Sequence, residues 1–87
     1  MAVYLVELNE YGVKSLSNSS PGRLLLRNQR RLRCSSVDQQ GPLLLMNVVP
    51  PEGSKVHSEV EFQIPYEFVL YIATAVDDKM MGFLTSD

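Results

Sequence analysis

The apolar residues of this chain fall into short runs of strand length, and a turn-forming segment follows almost every run. Val3–Leu8 and residues 43–49 and 68–76 are rich in aliphatic, aromatic or β-branched side chains. Short apolar runs bounded by Gly, Pro, Asn or Asp are typical of β-strands. No alternation of strands with long helical patterns, as in a βαβ fold, is present. The sequence therefore predicts a mainly β fold arranged as an antiparallel meander.

A fourth strand is predicted over residues 56–64, where apolar and polar residues alternate. One parity holds Val56, Val60, Phe62 and Ile64, and the other holds His57, Glu59, Glu61 and Gln63. This period of two predicts a strand with one buried and one acidic, solvated face. Asp77-Asp78 and residues 79–84 add a predicted terminal hairpin. We expect five to six strands in a small antiparallel barrel or a curved meander sheet.

The segment from residue 21 to residue 34 fits two structures. As a helix, it has Ser20 as an N-cap and Pro21 at a tolerated first position, without any β-branched residue. As a strand, it places leucines and Cys34 on one parity and four arginines on the other. We keep both possibilities, a strand and one helix at about 21–34. Residues 9–12 are interpreted as a turn and residues 15–22 as a surface loop.

The length of 87 residues leaves room for one hydrophobic core, so residues 1–87 are expected to form a single small β domain. With one cysteine and one histidine, the chain cannot form an internal disulfide, and it has no second nitrogen or sulfur ligand at a spacing that suits zinc. The first residues lack a basic start and a long apolar core, and no apolar run reaches the ~18 residues of a membrane span. We expect a cytoplasmic protein that does not enter a membrane.

Three groups of reactive side chains are interpreted as structural rather than chemical. His57, Glu59 and Glu61 share one strand face, which is more often the solvated side of a strand than an active site. Cys34 has no histidine placed as its base and is expected to be buried. Asp77-Asp78 is interpreted as part of a hairpin turn, since aspartate is common in turns. No phosphate loop, zinc pattern or nucleophile elbow is present. We therefore predict a non-enzymatic protein with no catalytic residues, no cofactor and no metal.

The arginines form the most distinctive charge pattern. Residues 11–37 contain six basic and no acidic side chains, although the net charge is −2. Closely spaced guanidinium groups can neutralise phosphates, so a nucleic-acid-binding barrel is one functional hypothesis. The opposing interpretation is a solvated face, or pairing with the acidic residues 59 and 61 within the fold. The candidate binding residues are Arg23, Arg27, Arg30, Arg31 and Arg33.

The apolar surplus of the chain favours a different function. Residues 43–49 and 68–76 are apolar on both parities, and so short a chain cannot cover both faces of both strands. Contact with another chain would cover them. We predict a small interaction or regulatory protein, a homo-oligomer that binds another protein. A ligand site assembled between subunits stays open as a third hypothesis. The candidate interface residues are Phe68, Leu70, Tyr71 and Ile72.

Overall fold

The computed structural model describes residues 3–18, 20–26 and 29–75. Five strands dominate, with two short helices after the first strand and one 3₁₀ turn before the last. This composition confirms the mainly β prediction. The elements in chain order are β1 (Val3–Leu8), α1 (Glu10–Ser17), α2 (Gly22–Leu26), β2 (Arg31–Gln40), β3 (Leu43–Val48), β4 (Val60–Pro65), the 3₁₀ turn (Tyr66–Phe68) and β5 (Val69–Ala75).

The strands form one antiparallel sheet in the order β4-β3-β2-β1-β5. The first four strands are a meander, and β5 returns to pair with β1. The predicted meander is therefore confirmed in its curved-sheet form, because the ladders among the described residues do not close into a barrel. The predicted hairpin at Asp77-Asp78 and the strand over residues 79–84 lie outside the described residues.

The sheet must be strongly curled, because its two edge strands are joined by only three residues. In a flat sheet, β4 and β5 would lie about 19 Å apart, which is four strand spacings. The chain from Pro65 to Val69 can span at most about 14 Å. Curling brings the two edges within reach of the connection, and the resulting body measures 29 × 28 × 24 Å.

The inner face of the curled sheet holds the main core. Val6, Leu8, Leu32, Met46 and Val48 are all almost completely buried there. Leu25 and Leu26 of α2 belong to the same cluster. In β3, Leu44, Met46 and Val48 are buried, whereas Leu43 is exposed and Leu45 half-buried on the other face. The second face of β3 is therefore only partly covered within the chain.

The structure divides residues 21–34 between the two predicted alternatives. A helix covers only Gly22–Leu26, and strand β2 begins at Arg31. Leu32 and Cys34 are buried while Arg33 is exposed, so the period of two was the correct pattern there. A helix over the whole segment is wrong, because Leu25 and Leu26 reach the core from a single helical turn while Leu32 and Cys34 reach it from the sheet.

Helix α1 replaces the turn and part of the loop predicted before residue 22. The Asn9 side chain caps it, since Oδ1 accepts a hydrogen bond of 2.9 Å from the Gly12 backbone N–H. Val13 and Leu16 pack against the core. Asn9 and Gly12 are turn formers in isolation, so the local sequence did not distinguish a turn from the first turn of a capped helix.

Strand β4 is shorter than predicted but has the predicted faces. It begins at Val60 instead of residue 56. Ile64 is buried, and Val60 and Phe62 pack against the core, while Glu59 and Glu61 are exposed. Residues 56–59 instead follow the loop in which Ser54 Oγ accepts a hydrogen bond of 3.0 Å from the Val56 N–H.

Candidate functional site

The outer face of the sheet carries a polar cluster across three strands. Glu7 of β1 lies opposite Arg31 of β2 on one side and Tyr71 of β5 on the other. Glu7 Oε1 accepts hydrogen bonds from Arg31 Nε at 2.8 Å and from the Tyr71 hydroxyl at 3.1 Å. The hydrogen bond from Arg31 and that from Tyr71 lower the pKa of Glu7 below its ordinary 4.5, and the positive charges of Arg31 and Arg30 act in the same direction.

Glu7→Gln is expected to lower the free energy of unfolding at neutral pH by about 0.5–1 kcal/mol, the range of a partly exposed ion pair. Because the folded-state pKa of Glu7 is lowered, its contribution is present above pH 4.5 and is lost as the pH falls through that lower value. The stabilities of the two proteins should therefore converge in acid. Urea unfolding at neutral pH and in acid, well below pH 4.5, measures the free energies of unfolding of the two proteins. Glu61→Gln is the control, because it removes the charge of an exposed glutamate. An equal loss of stability in Glu7→Gln and Glu61→Gln at neutral pH would contradict the prediction.

The structure does not bring all the candidate arginines onto one surface. Arg23 is exposed on α2, Arg30 precedes β2, and Arg33 is exposed on the outer face of β2. Arg31 binds Glu7, a partner that lies on the neighbouring strand instead of the acidic segment considered from the sequence. Arg27 lies outside the described residues. A phosphate-binding arginine face stays a prediction.

Arg31 and Arg33 border a cleft of about 400 Å³ at the side of the sheet. Buried apolar side chains of β1, α2, β2 and β3 lie beneath its floor, and polar groups supply most of its accessible surface. We call it the arginine cleft. The buried apolar residues are Leu5, Leu25, Leu26, Leu32 and Val48. The polar rim residues are Gln29, Arg31, Arg33 and Glu52. The sequence did not predict this site, because its walls come from segments far apart in the chain.

The exposed large apolar side chains of the described residues all lie on or beside the segment that joins β4 to β5. Tyr66 belongs to that segment, and Leu70 and Tyr71 follow it as the second and third residues of β5. Leu43 lies opposite Pro65, and the Tyr66 N–H donates to the Pro42 carbonyl at 2.8 Å. Tyr11 lines a shallow cleft with Glu67 and Phe68. We call this set the junction surface; its residues are Tyr11, Leu43, Tyr66, Leu70 and Tyr71.

A β-bulge explains why two consecutive residues of β5 are both exposed. Tyr71 lies opposite Glu7 and Val69 opposite Leu8, so Leu70 has no partner on β1. A bulge interrupts the alternation of side chains and redirects one of them. Leu70 is 55% and Tyr71 44% exposed. The other two candidate interface residues, Phe68 and Ile72, are partly buried against the core.

The remaining reactive side chains do not converge on a pocket. Cys34 is fully buried, and burial raises the pKa of its thiol to about 12. His57 and Glu61 are exposed, and Glu59 accepts a hydrogen bond of 2.6 Å from Ser35 Oγ. Within the described ranges, no group of three or more His, Cys, Asp or Glu residues is placed to hold a metal ion.

Comparison with known proteins identifies no matching family, no significantly similar curated protein and no significantly similar solved structure. In the described part of the chain, every helix is too short to cross a membrane. Function must therefore be inferred from the chain's own surfaces. The two surfaces that combine shape with distinct chemistry are the junction surface and the arginine cleft.

Proposed function

We propose that this chain is a non-enzymatic protein-interaction domain that self-associates through the junction surface and, as an oligomer, binds another protein. One observation carries the proposal. Among the described residues, every large apolar side chain left exposed lies on or beside the short segment between Pro65 and Tyr71. Scattered exposed apolar residues are normal on protein surfaces, whereas their concentration in one region is typical of interfaces.

The residue types at the junction surface suit an interface. Three of its five members are tyrosines. Tyrosine offers a large apolar area with little side-chain entropy to lose, and it is enriched at the centres of interfaces. Leu70 is 55% exposed, and burying that part of its side chain contributes about 1–1.5 kcal/mol. A second copy is the simplest partner, because a domain of this size gains stability from association.

The fold also holds part of this surface in place before binding. Leu70 stands at the bulge, between two residues that are paired with β1. The Tyr71 hydroxyl is hydrogen-bonded to Glu7. Asn9 fixes the adjacent turn, since its backbone N–H donates to the Phe68 carbonyl at 2.8 Å and its side chain to the Glu67 carbonyl at 2.9 Å. Side chains that are already ordered lose less entropy on binding.

Leu70→Asp is expected to weaken self-association at least tenfold, because it would place a charge within a desolvated apolar contact. Sedimentation velocity over a range of protein concentrations measures the change. Thr74→Asp is the matched control, since it adds the same charge to an exposed position of the same strand outside the junction surface. The control should associate like the unmodified chain, and thermal unfolding should show that both variants are folded.

An unmodified chain that is monomeric at every concentration would overturn the self-association proposal. If Leu70→Asp and Thr74→Asp weakened self-association equally, the interface would not be the junction surface. The nucleic-acid hypothesis differs in its salt response, because phosphate binding weakens steeply with ionic strength whereas an apolar contact does not. Replacing exposed Arg30 and Arg33 with glutamate should leave self-association intact and should abolish binding to an oligonucleotide, if any occurs.

A further inference from the structure

We propose that Glu7 allows the ring of Tyr71 to be buried in the self-association interface, because it accepts the Tyr71 hydroxyl within the same chain. This inference rests on the proposed function and assigns a role to a residue outside the junction surface. Glu7 Oε1 lies 3.1 Å from the Tyr71 hydroxyl oxygen and accepts its hydrogen bond across the pairing of β1 with β5. A second copy would therefore meet a tyrosine whose polar atom is already bonded.

The hydroxyl of Tyr71 decides how much its burial contributes to association. Tyr71 is 44% exposed in the single chain, so contact with a second copy can remove a large part of its side chain from water. The aromatic ring gains from this transfer, whereas a hydroxyl that loses water without finding another partner opposes it. An acceptor within the same chain removes the penalty before the two copies meet. Glu7 is placed to be that acceptor.

Arg31 neutralises the charge that Glu7 would otherwise bring to the edge of the interface. Arg31 Nε donates to the same oxygen, Glu7 Oε1, at 2.8 Å. The side chain of Glu7 is only 18% exposed and that of Arg31 26%, so the ion pair is mostly withdrawn from solvent. Strand pairing fixes the arrangement, since Glu7 lies opposite Arg31 on β2 and opposite Tyr71 on β5. A paired carboxylate can accept the hydroxyl without presenting an uncompensated charge to the second copy.

A double-mutant cycle between Glu7 and Tyr71 tests the proposal, with self-association measured by sedimentation velocity over a range of protein concentrations. Glu7→Ala should weaken association about fivefold or more, because the Tyr71 hydroxyl would be buried without an acceptor. Tyr71→Phe removes the hydroxyl and keeps the ring, so it should change the affinity by no more than about threefold. The double variant Glu7→Ala, Tyr71→Phe should associate as tightly as Tyr71→Phe alone, because no hydroxyl is left to satisfy.

The recovery of affinity in the double variant separates this role from a general effect of Glu7 on the fold. If Glu7 only stabilised the sheet, the double variant would be as weak as Glu7→Ala or weaker. Glu7→Gln is the conservative variant, since its amide oxygen can still accept from the Tyr71 hydroxyl. It should weaken association less than Glu7→Ala does. Thermal unfolding should show that every variant is folded at the temperature of the measurement.

The matched control is Glu61→Ala, which removes an exposed glutamate of β4 outside the junction surface and should leave association unchanged. The proposal is overturned if Glu7→Ala associates as tightly as the unmodified chain, or if the double variant does not recover. It is also overturned if Tyr71→Phe alone causes the loss, since the hydroxyl would then bond to the second copy. Each of these results leaves self-association itself standing, whereas an unmodified chain that stays monomeric overturns both proposals.

Discussion

Gly22→Ala is expected to lower the free energy of unfolding by about 3 kcal/mol, a large part of the stability of a small domain. Gly22 is buried where α2 approaches α1. A β-carbon at this position would overlap the backbone oxygen of Leu16 and lie 3.1 Å from its carbonyl carbon. Because these atoms are backbone, they cannot move aside without displacing α1. Urea unfolding measures the loss.

The sign of this effect distinguishes packing from helix propensity. Alanine is a better helix former than glycine, so propensity alone predicts that Gly22→Ala stabilises the chain by up to about 1 kcal/mol. Arg23→Ala is the control, since it changes the next residue of the same helix at an exposed position. It should change stability by no more than about 0.5 kcal/mol. A stable Gly22→Ala variant would show that α1 and α2 do not pack as closely as described.

Cys34 is expected to react with iodoacetamide at least about a thousandfold more slowly in the native protein than in denaturant. The thiolate is the reactive form, and burial raises the pKa of Cys34 from 9.0 to about 12, which lowers the thiolate fraction about a thousandfold. Its complete burial also blocks the approach of the reagent. Labelling of the native protein followed by mass spectrometry measures the rate.

A cysteine moved by one residue provides the control for this prediction. Ser35 is exposed and next to Cys34 on β2. The double variant Cys34→Ala, Ser35→Cys should be labelled at nearly the rate of a small thiol, because its side chain points away from the core. If native Cys34 were labelled as rapidly as the new cysteine, β2 would have the opposite face in the core. The two rates therefore report the register of this strand directly.

The strands could be predicted because alternation is a local signal. Leu32 and Cys34 of β2 and Ile64 of β4 are buried at the predicted parity. Helix α1 could not be predicted in this way, because Asn9 is equally suited to a turn and to an N-cap. Whether this segment forms a turn or a helix depends on contacts with distant residues, such as the approach of Gly12 to Phe68.

The candidate sites were only partly predictable for the same reason. The apolar surplus of residues 68–76 indicated an interface, and Leu70 and Tyr71 are exposed. The bulge that exposes both depends on the register between β5 and β1, which no local pattern encodes. The sequence shows Arg31 as part of a charge cluster, but its partner Glu7 is fixed by strand pairing. The arginine cleft requires the complete fold.

The position of β1 between β2 and β5 also constrains the order in which the chain can fold. Val3 lies opposite Ala75, so one side of β1 stays unpaired until almost all of the described chain has been synthesised. Pairing of residues so distant in sequence slows folding, because the intervening loop must close before any contact compensates for its lost entropy. On the ribosome, β1 to β4 can form their meander first, while the second edge of β1 stays unpaired until β5 has been synthesised. This nascent intermediate exposes an apolar strand edge, and such edges are the sites at which chaperones or other copies of a chain bind.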